Sequence, residues 1–593
     1  MVLDKILKNI ITEIYILLHS VAVYFAIEEL YGSGTMANFK CALLNIVIVY
    51  CIFRIAFLIT KKLFWASLFT NVFFSIFGLA EYYVNQFRGN PFMPWDFQGV
   101  AAAADVSGGY SFEIFPAQIV WMIFLLVMIV LSLVLDKKIV LKRKYLSLYS
   151  VFILIMCSVI LMLAFKSDEY KKLETSIAKA NIAFKNQGVV ISFVKYCELM
   201  KIDTPKGYTK EDAEIISNKY NINSENAISE NPDNIIVIMN ESFADFSALG
   251  NLDEIEESLS FYNSLEKNTL KGNICVPVYG GGTVNTEYEF LTGNSVAFLP
   301  AGMPMVSMIK ENRPSLAWYL KDEYGYRTNA LHLASGKNYN RDKAYKYLGI
   351  DKSYFIDDFY SNSIDYFYHM PSDDFDYKQL INMYENKDSD KFFVFNVTIQ
   401  NHGGYDDATD LKGKETVDLS KYGNFPKSEV YLTCLKASDD ALRELIGYFE
   451  KVDEKTMIVF FGDHLPCVED EFLEFLYGKP FDEWSDEEIL NKYTTPFMIW
   501  TNYDSVPGYI DRISTNYLPL LMLKRAGIDL PVYYKCMDEL VKEYPVITIN
   551  GILSEKGAFC YKNQINASSV FNDYKYMLYN MCVDENVEWN FLK

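Results

Sequence analysis

The chain of 593 residues predicts two architectures in succession. The first is an α-helical membrane domain of five spans over residues 1–165. The second is an extracellular α/β domain with a mainly parallel sheet over 231–593, reached through a helical linker at 166–230. Three observations predict this. Apolar stretches of bilayer length are confined to the first 165 residues. Basic residues occupy every second loop between them. After residue 230, short continuous apolar runs alternate with longer amphipathic ones.

The spans fall at about 9–30, 40–60, 63–84, 116–135 and 145–165. Each is near the ~20 residues needed to cross a hydrocarbon core. Glu13 and His19 interrupt the first, and such groups are costly in lipid unless they face the bundle. Lys5 and Lys8 precede span one. Lys61 and Lys62 separate spans two and three, and Lys137, Lys138, Lys142, Arg143 and Lys144 separate four and five. The alternate loops, 31–39 and 85–115, hold only Lys40 at a margin and Arg88. Basic loops favour the cytoplasm, which places the N-terminus inside and everything after span five outside. A buried soluble core would not show this alternation, and the first apolar stretch is too long for a cleaved signal. "SIAKAN" (176–181) contains an Ala-x-Ala pattern at which processing could release the outer domain.

A net charge of −21 excludes a nucleic-acid binder, which needs a basic surface for phosphates. Of ten cysteines, three (Cys41, Cys51 and Cys157) lie in spans. The remaining seven are an odd number with no CxxC pair, so neither a disulfide framework nor a thiolate zinc site is expected.

The linker is rich in Lys and Glu and reads as solvated helices. In the outer domain the strand candidates are "NIIVIM" (234–239), "ALHLA" (330–334), "KFFVFNVTI" (391–399), "KTMIVFF" (455–461) and "PFMIW" (496–500). Unbroken apolar runs suit strands buried on both faces. Amphipathic stretches between them, such as 428–451, complete an α/β pattern.

In such sheets, ligands gather at the carboxyl ends of strands. Glu241 follows the first run, Asp463 and His464 the fourth, and His402 the third; His332 lies within the second, with Arg341 nine residues on. Two carboxylates and an imidazole suit a divalent ion of intermediate hardness, manganese or zinc, more than an all-oxygen calcium cage. In "GGGTVNTE" (280–287), Thr283 could add a fourth ligand and act as nucleophile, because a metal lowers the pKa of the hydroxyl it holds. The glycines allow close approach to a phosphate, and a helix opening at Thr283 would favour the anion. Taken singly, such a threonine is more often a helix cap and a strand-end acid more often a cap or salt-bridge partner. Their joint occurrence at strand ends of one domain favours a site. His369, in "YFYHMPSDD", has no strand context and reads as structural.

The motifs "NIIVIMNESF", "GGGTVNTEYEFLTG", "NYNRDKAYKYLGI", "VTIQNHGGY", "FFGDHLP" and "TTPFMIWTNYD", after five spans and a linker, resemble the lipoteichoic acid synthase family. These are membrane phosphoglycerol transferases of the alkaline phosphatase and sulfatase superfamily. The resemblance implies that Glu241, Thr283, Asp463 and His464 hold one divalent metal, manganese with magnesium or zinc as alternatives. Thr283 would attack the phosphorus of phosphatidylglycerol, release diacylglycerol, and pass glycerophosphate to an acceptor hydroxyl. His332, Arg341 and His402 would hold the phosphoglycerol group, with Tyr339 in place of an aromatic residue usual there. Arginine suits phosphate by its bidentate grip, and histidine can donate to it or relay a proton. The departure is Gly282, where the best-known members carry lysine. The acceptor would be a polyglycerolphosphate chain or another cell-surface glycan or glycolipid.

Competing readings differ in the residues they need. A sulfatase uses C/S-x-P-x-R, which "TVNTE" lacks. A phosphoethanolamine transferase shares the threonine and metal, with several disulfides common. A two-metal phosphatase needs a second ligand set that five histidines leave little to build. A membrane-anchored scaffold on a degenerate transferase fold would not need Glu241, Thr283, Asp463 and His464 intact. The outward loop "RGNPFMPWDFQG" (88–99) reads as an interfacial anchor or a device presenting lipid.

Overall fold

The computed structural model describes residues 2–31, 37–98, 115–138, 143–202, 204–221, 231–360, 363–406, 408–411, 414–562, 564–584 and 587–592. Lys142 and most of the 85–115 loop lie outside the described residues, as does the end of the linker, 222–230. The chain forms two compact units. One holds residues 1–94 and 111–199, the other 95–110 and 200–593.

In the first unit, helices α1 (Val2–Leu30), α2 (Phe39–Thr60), α3 (Leu63–Arg88), α4 (Pro116–Lys138) and α5 (Arg143–Phe165) are each long and apolar enough to cross a membrane. The protein is a multi-pass membrane protein. The polar residues that interrupt α1 turn inward, as the cost of charge in lipid requires. Glu13 pairs with Arg54, fully buried in α2, and accepts from Tyr50 Oη at 2.8 Å. His19 Nε2 lies 2.9 Å from Ser67 Oγ. The expected linker begins within this unit. Two short helices, Ala180–Gln187 and Val189–Tyr196, bury Ala180, Phe184, Ile191 and Tyr196. The second is capped from the spans: Val189 N–H donates to Glu28 Oε1 at 2.9 Å and Ile191 N–H to Asn45 Oδ1 at 2.8 Å.

The second unit is built on an eight-stranded sheet: β1 (Asn234–Asn240), β2 (Thr269–Cys275), β3 (Arg327–His332), β4 (Lys352–Phe355), β5 (Phe392–Val397), β6 (Thr456–Gly462), β7 (Thr494–Thr501) and β8 (Gly508–Ser514). In these labels the order is β8-β2-β7-β6-β1-β5-β3-β4. Strands β6, β1, β5, β3 and β4 run parallel; β7 opposes both β6 and β2, and β8 parallels β2. The sheet is therefore mainly parallel, with β7 alone reversed. Every residue of β1, β5, β6 and β7 is buried, which is why each reads as an unbroken apolar run. Register sets the site. Asn240 pairs with Gly462, Met239 with Val397, and Val397 with His332. The residues after β1, β5, β3 and β6 thus emerge side by side on one sheet edge.

Candidate active site

Glu241 and Asp463 leave neighbouring strands at paired positions, so two carboxylates enter one volume. Asp463 is fully buried, and its Oδ1 accepts from the backbone N–H of Ser242 at 2.7 Å and of His464 at 2.9 Å. Among the described residues its Oδ2 has no hydrogen-bond partner, and it lies 3.2 Å from His464 Nε2. That nitrogen is also 3.5 Å from Glu241 Oε1. His464 Nδ1 donates to the Leu465 carbonyl at 3.0 Å, which leaves the Nε2 lone pair facing the two acids. Burial and the charge of Asp463 push the Glu241 carboxyl up to about 8, opposed by His464, Ser242 and Arg341. Glu241, Asp463 and His464 bring ligand atoms within 4.8 Å of one another. The open Asp463 Oδ2, the Glu241 carboxylate and an imidazole lone pair converging in a buried cluster fit a divalent cation.

Thr283 opens helix α6 (Thr283–Thr292). Its Oγ1 lies 3.4 Å from Glu241 Oε2 and 3.4 Å from His464 Nε2. The preceding glycines 280, 281 and 282 have φ of 64°, 142° and 88°, a run of left-handed backbone that side chains resist. This turn delivers the hydroxyl to the acids. Thr286 Oγ1, one turn along, donates to the Asp463 carbonyl at 2.7 Å and fixes the helix to the strand end. Thr283 is half-exposed while the acids are buried, so it is the open side of the cluster.

Beside it, Arg341 is buried. Its Nε and Nη2 both donate to Glu287 Oε2 at 3.0 Å, and Nη1 donates to His332 Nε2 at 3.2 Å. His332 Nδ1 donates to the Val397 carbonyl at 2.9 Å. Both ring nitrogens of His332 are therefore engaged. Burial, then the guanidinium, hold His332 down at about 3. Among the described residues these bonds use three of the five guanidinium N–H groups. Tyr339, at φ 57°, presents its ring 5.4 Å from the guanidinium carbon. His402 follows β5, half-buried, with its pKa lowered by burial.

Four partners in the cluster were not read from the sequence. Glu287 anchors Arg341, and its position one helical turn after Thr283 was a usable signal. Ser242, whose Oγ donates to Glu241 Oε1 at 3.1 Å, follows a ligand directly. Thr398 accepts the Glu241 N–H at 3.1 Å, and Asp373 bonds to Asn240. Neither of these carries a local signal, because their partners are 157 and 133 residues away. All ten cysteines are free thiols.

Residues 233–528 match the family described as Sulfatase. A Rhizobium meliloti protein, named provisionally for cyclic beta-1,2-glucan modification, is 28% identical over 418 residues, 67% of this chain and 62% of its own length. A Staphylococcus aureus lipoteichoic acid synthase is 26% identical over 271 residues, 42% of this chain and 38% of its own length. The chain thus spans less than two thirds of these relatives. The phosphoglycerol transferase GacH of Streptococcus pyogenes, solved with sn-glycerol-1-phosphate, is 21% identical with a TM-score of 0.50, over 64% of this chain and 96% of that one. That likeness is one of fold.

Proposed function

The outer domain belongs to the sulfatase/alkaline phosphatase superfamily, and from that premise we propose that the protein is a metal-dependent phosphoglycerol transferase acting at the cell surface. Glu241, Thr283, Asp463 and His464 hold one divalent cation, with manganese the first choice. When bound, the ion acidifies the hydroxyl it touches and offsets charge on a phosphodiester. Thr283 Oγ forms a bond to the phosphorus of phosphatidylglycerol as the bond to the diacylglycerol oxygen breaks, and the threonine proton leaves with diacylglycerol. An acceptor hydroxyl then attacks the same phosphorus, the Thr283 Oγ–P bond breaks, and the hydroxyl is restored. Arg341, held flat by Glu287 and His332, grips the phosphate with its two remaining N–H groups. His402 stays neutral near pH 7, donates to the phosphoglycerol group, accepts the proton of the incoming alcohol and returns it to Thr283 Oγ as the Oγ–P bond breaks.

The acceptor is a polyglycerolphosphate chain or another surface glycan. The names of the relatives support both, lipoteichoic acid synthesis for one and glucan modification for the other. The N-terminus lies in the cytoplasm and the catalytic domain outside, where phosphatidylglycerol headgroups of the outer leaflet are at high effective concentration.

The observation that carries this reading is the pair of 3.4 Å approaches of Thr283 Oγ1 to Glu241 and His464. The test incubates the full-length protein with labelled phosphatidylglycerol and manganese. Diacylglycerol release and a glycerophosphate mass increment on the Thr283 peptide are expected, both absent in Thr283→Ala. Equal turnover without the hydroxyl defeats the proposal.

A further inference from the structure

Behind the metal-ligating side chains lies a second, fully buried polar layer that takes no part in the chemistry above. At its centre is Asp373, the first residue of helix α7 (Asp373–Glu385), with no exposed surface. Asp373 Oδ2 accepts from Asn240 Nδ2 at 2.7 Å and from Ser438 Oγ at 2.6 Å; Ser438 sits on helix α8 (Pro426–Phe449). Asn240 closes β1 and directly precedes Glu241. On its other side, the Asp373 N–H donates to Gln400 Oε1 at 2.9 Å. Gln400 Nε2 and Asn401 Nδ2 donate to Ser438 Oγ at 3.0 and 2.9 Å. One carboxylate therefore holds both the strand end that carries Glu241 and the loop that carries His402.

We infer that Asp373 is a positioning residue that couples cation binding at Glu241 to phosphate binding at the His402 loop. The inference rests on the functional reading above, in which Glu241 meets the ion and His402 the donor. Its physical basis is that buried polar networks have few ways to be fully satisfied. Moving Asn240 strips a hydrogen bond from Asp373 and one from Asn401, whose Nδ2 donates to Asn240 Oδ1 at 3.4 Å, and Gln400 and Asn401 must then re-pair. An ion that draws Glu241 into place thereby selects the arrangement of 400–402 that meets phosphate. By linkage the effect is mutual: each ligand tightens the other by the same factor.

The test uses the detergent-solubilised full chain. Manganese affinity is measured by titration calorimetry and by the resonance of free manganese, with and without sn-glycerol-1-phosphate. In the native protein the phosphate ester is expected to tighten manganese about tenfold. In Asp373→Ala the factor falls to about one, while Asp373→Asn, which keeps an acceptor for Asn240 and Ser438, retains most of it. Ser438→Ala, a smaller change, keeps the test decisive should Asp373→Ala fail to fold, and is expected to weaken the coupling at least threefold. An unchanged factor in these variants, as direct contact between ion and phosphate would produce, overturns the inference and leaves the function standing. A native protein that binds both ligands without mutual effect overturns it equally. A native protein that binds no manganese, or no ester, removes the functional reading and this inference with it.

Discussion

At the scale of single residues, the site depends on how charges are held. Arg341 is anchored by Glu287 in a pair with almost no exposure, 3% and 0%. Removing one partner of a buried pair is costly, about 3–5 kcal/mol, because the other is left uncompensated. Glu287→Gln is expected to lower stability by about 3 kcal/mol and to raise the donor KM more than it lowers kcat, since Arg341 loses its fixed angle. Melting curves and initial rates check both. His332 gives a pH prediction. Its folded pKa of about 3 lies below the ordinary histidine value near 6.5, from burial and the Arg341 charge. Between those two values the unfolded chain binds a proton that the folded chain refuses. Stability from this residue is therefore complete above pH ~6.5 and is lost as pH falls toward 3, by at most about 1.4 kcal/mol per unit. His332→Gln should melt with a flatter pH dependence from 4.5 to 6.5, and a native slope equal to the variant's would refute it.

At the scale of elements, the turn 280–282 shows why a family comparison position by position is insufficient. Lysine is usual before the nucleophile in the best-known lipoteichoic acid synthases, yet Gly282 here has φ 88°, and a Cβ would sit 3.1 Å from Val278 Cγ1. Left-handed backbone costs a side-chain-bearing residue about 1–2 kcal/mol. Gly282→Lys is expected to melt lower and to turn over more slowly, not faster, despite the added charge. A gain in kcat/KM would show that the charge outweighs the strain. The same scale explains what the sequence made legible. The central strands β1, β5, β6 and β7 are buried throughout and read as apolar runs, so the strand ends bearing Glu241, His402, Asp463 and His464 could be located. Strands β4 and β8 lie at the sheet edges, with burial patterns of mixed exposure. Their sequences, "KSYF" and "GYIDRIS", lack the run that marks a buried strand. β2 carries Lys271 and Gly272 mid-strand and hid for the same reason. The reversal of β7 was also invisible, since burial on both faces gives the same apolar run in either direction. Of the candidate site, Glu241, Asp463 and His464 were legible because they follow strands. Asp373 looked like an ordinary first-turn acid, and only the fold brings Asn240 to it.

At the scale of the whole molecule, the two units are not joined by one linker. The chain passes between them at 94/95, 110/111 and 199/200. Trp95, within the aromatic loop 88–99, is buried in the second unit, where its indole lies across Gly302; a Cβ there would fall 2.0 Å from Trp95 Cε2. That tryptophan therefore packs as protein core. The boundary at 199/200 has a further consequence for processing. The Ala-x-Ala pattern at 178–180 lies inside the first unit, where Ala180 has no exposed surface and the Ser176 carbonyl accepts from Tyr196 Oη at 2.7 Å. A protease must draw its substrate out in extended form, and here that means undocking Phe184, Ile191 and Tyr196 from a packed interior. Folded protein is expected to stay intact at this position. Intact mass of membrane-extracted protein checks this, together with a variant that exposes the segment. Tyr196→Ala, which removes the clasp on Ser176, should become cleavable between 176 and 181 when the native chain is not. Release of a fragment beginning near residue 181 from the native protein would mean that this region opens readily despite its burial.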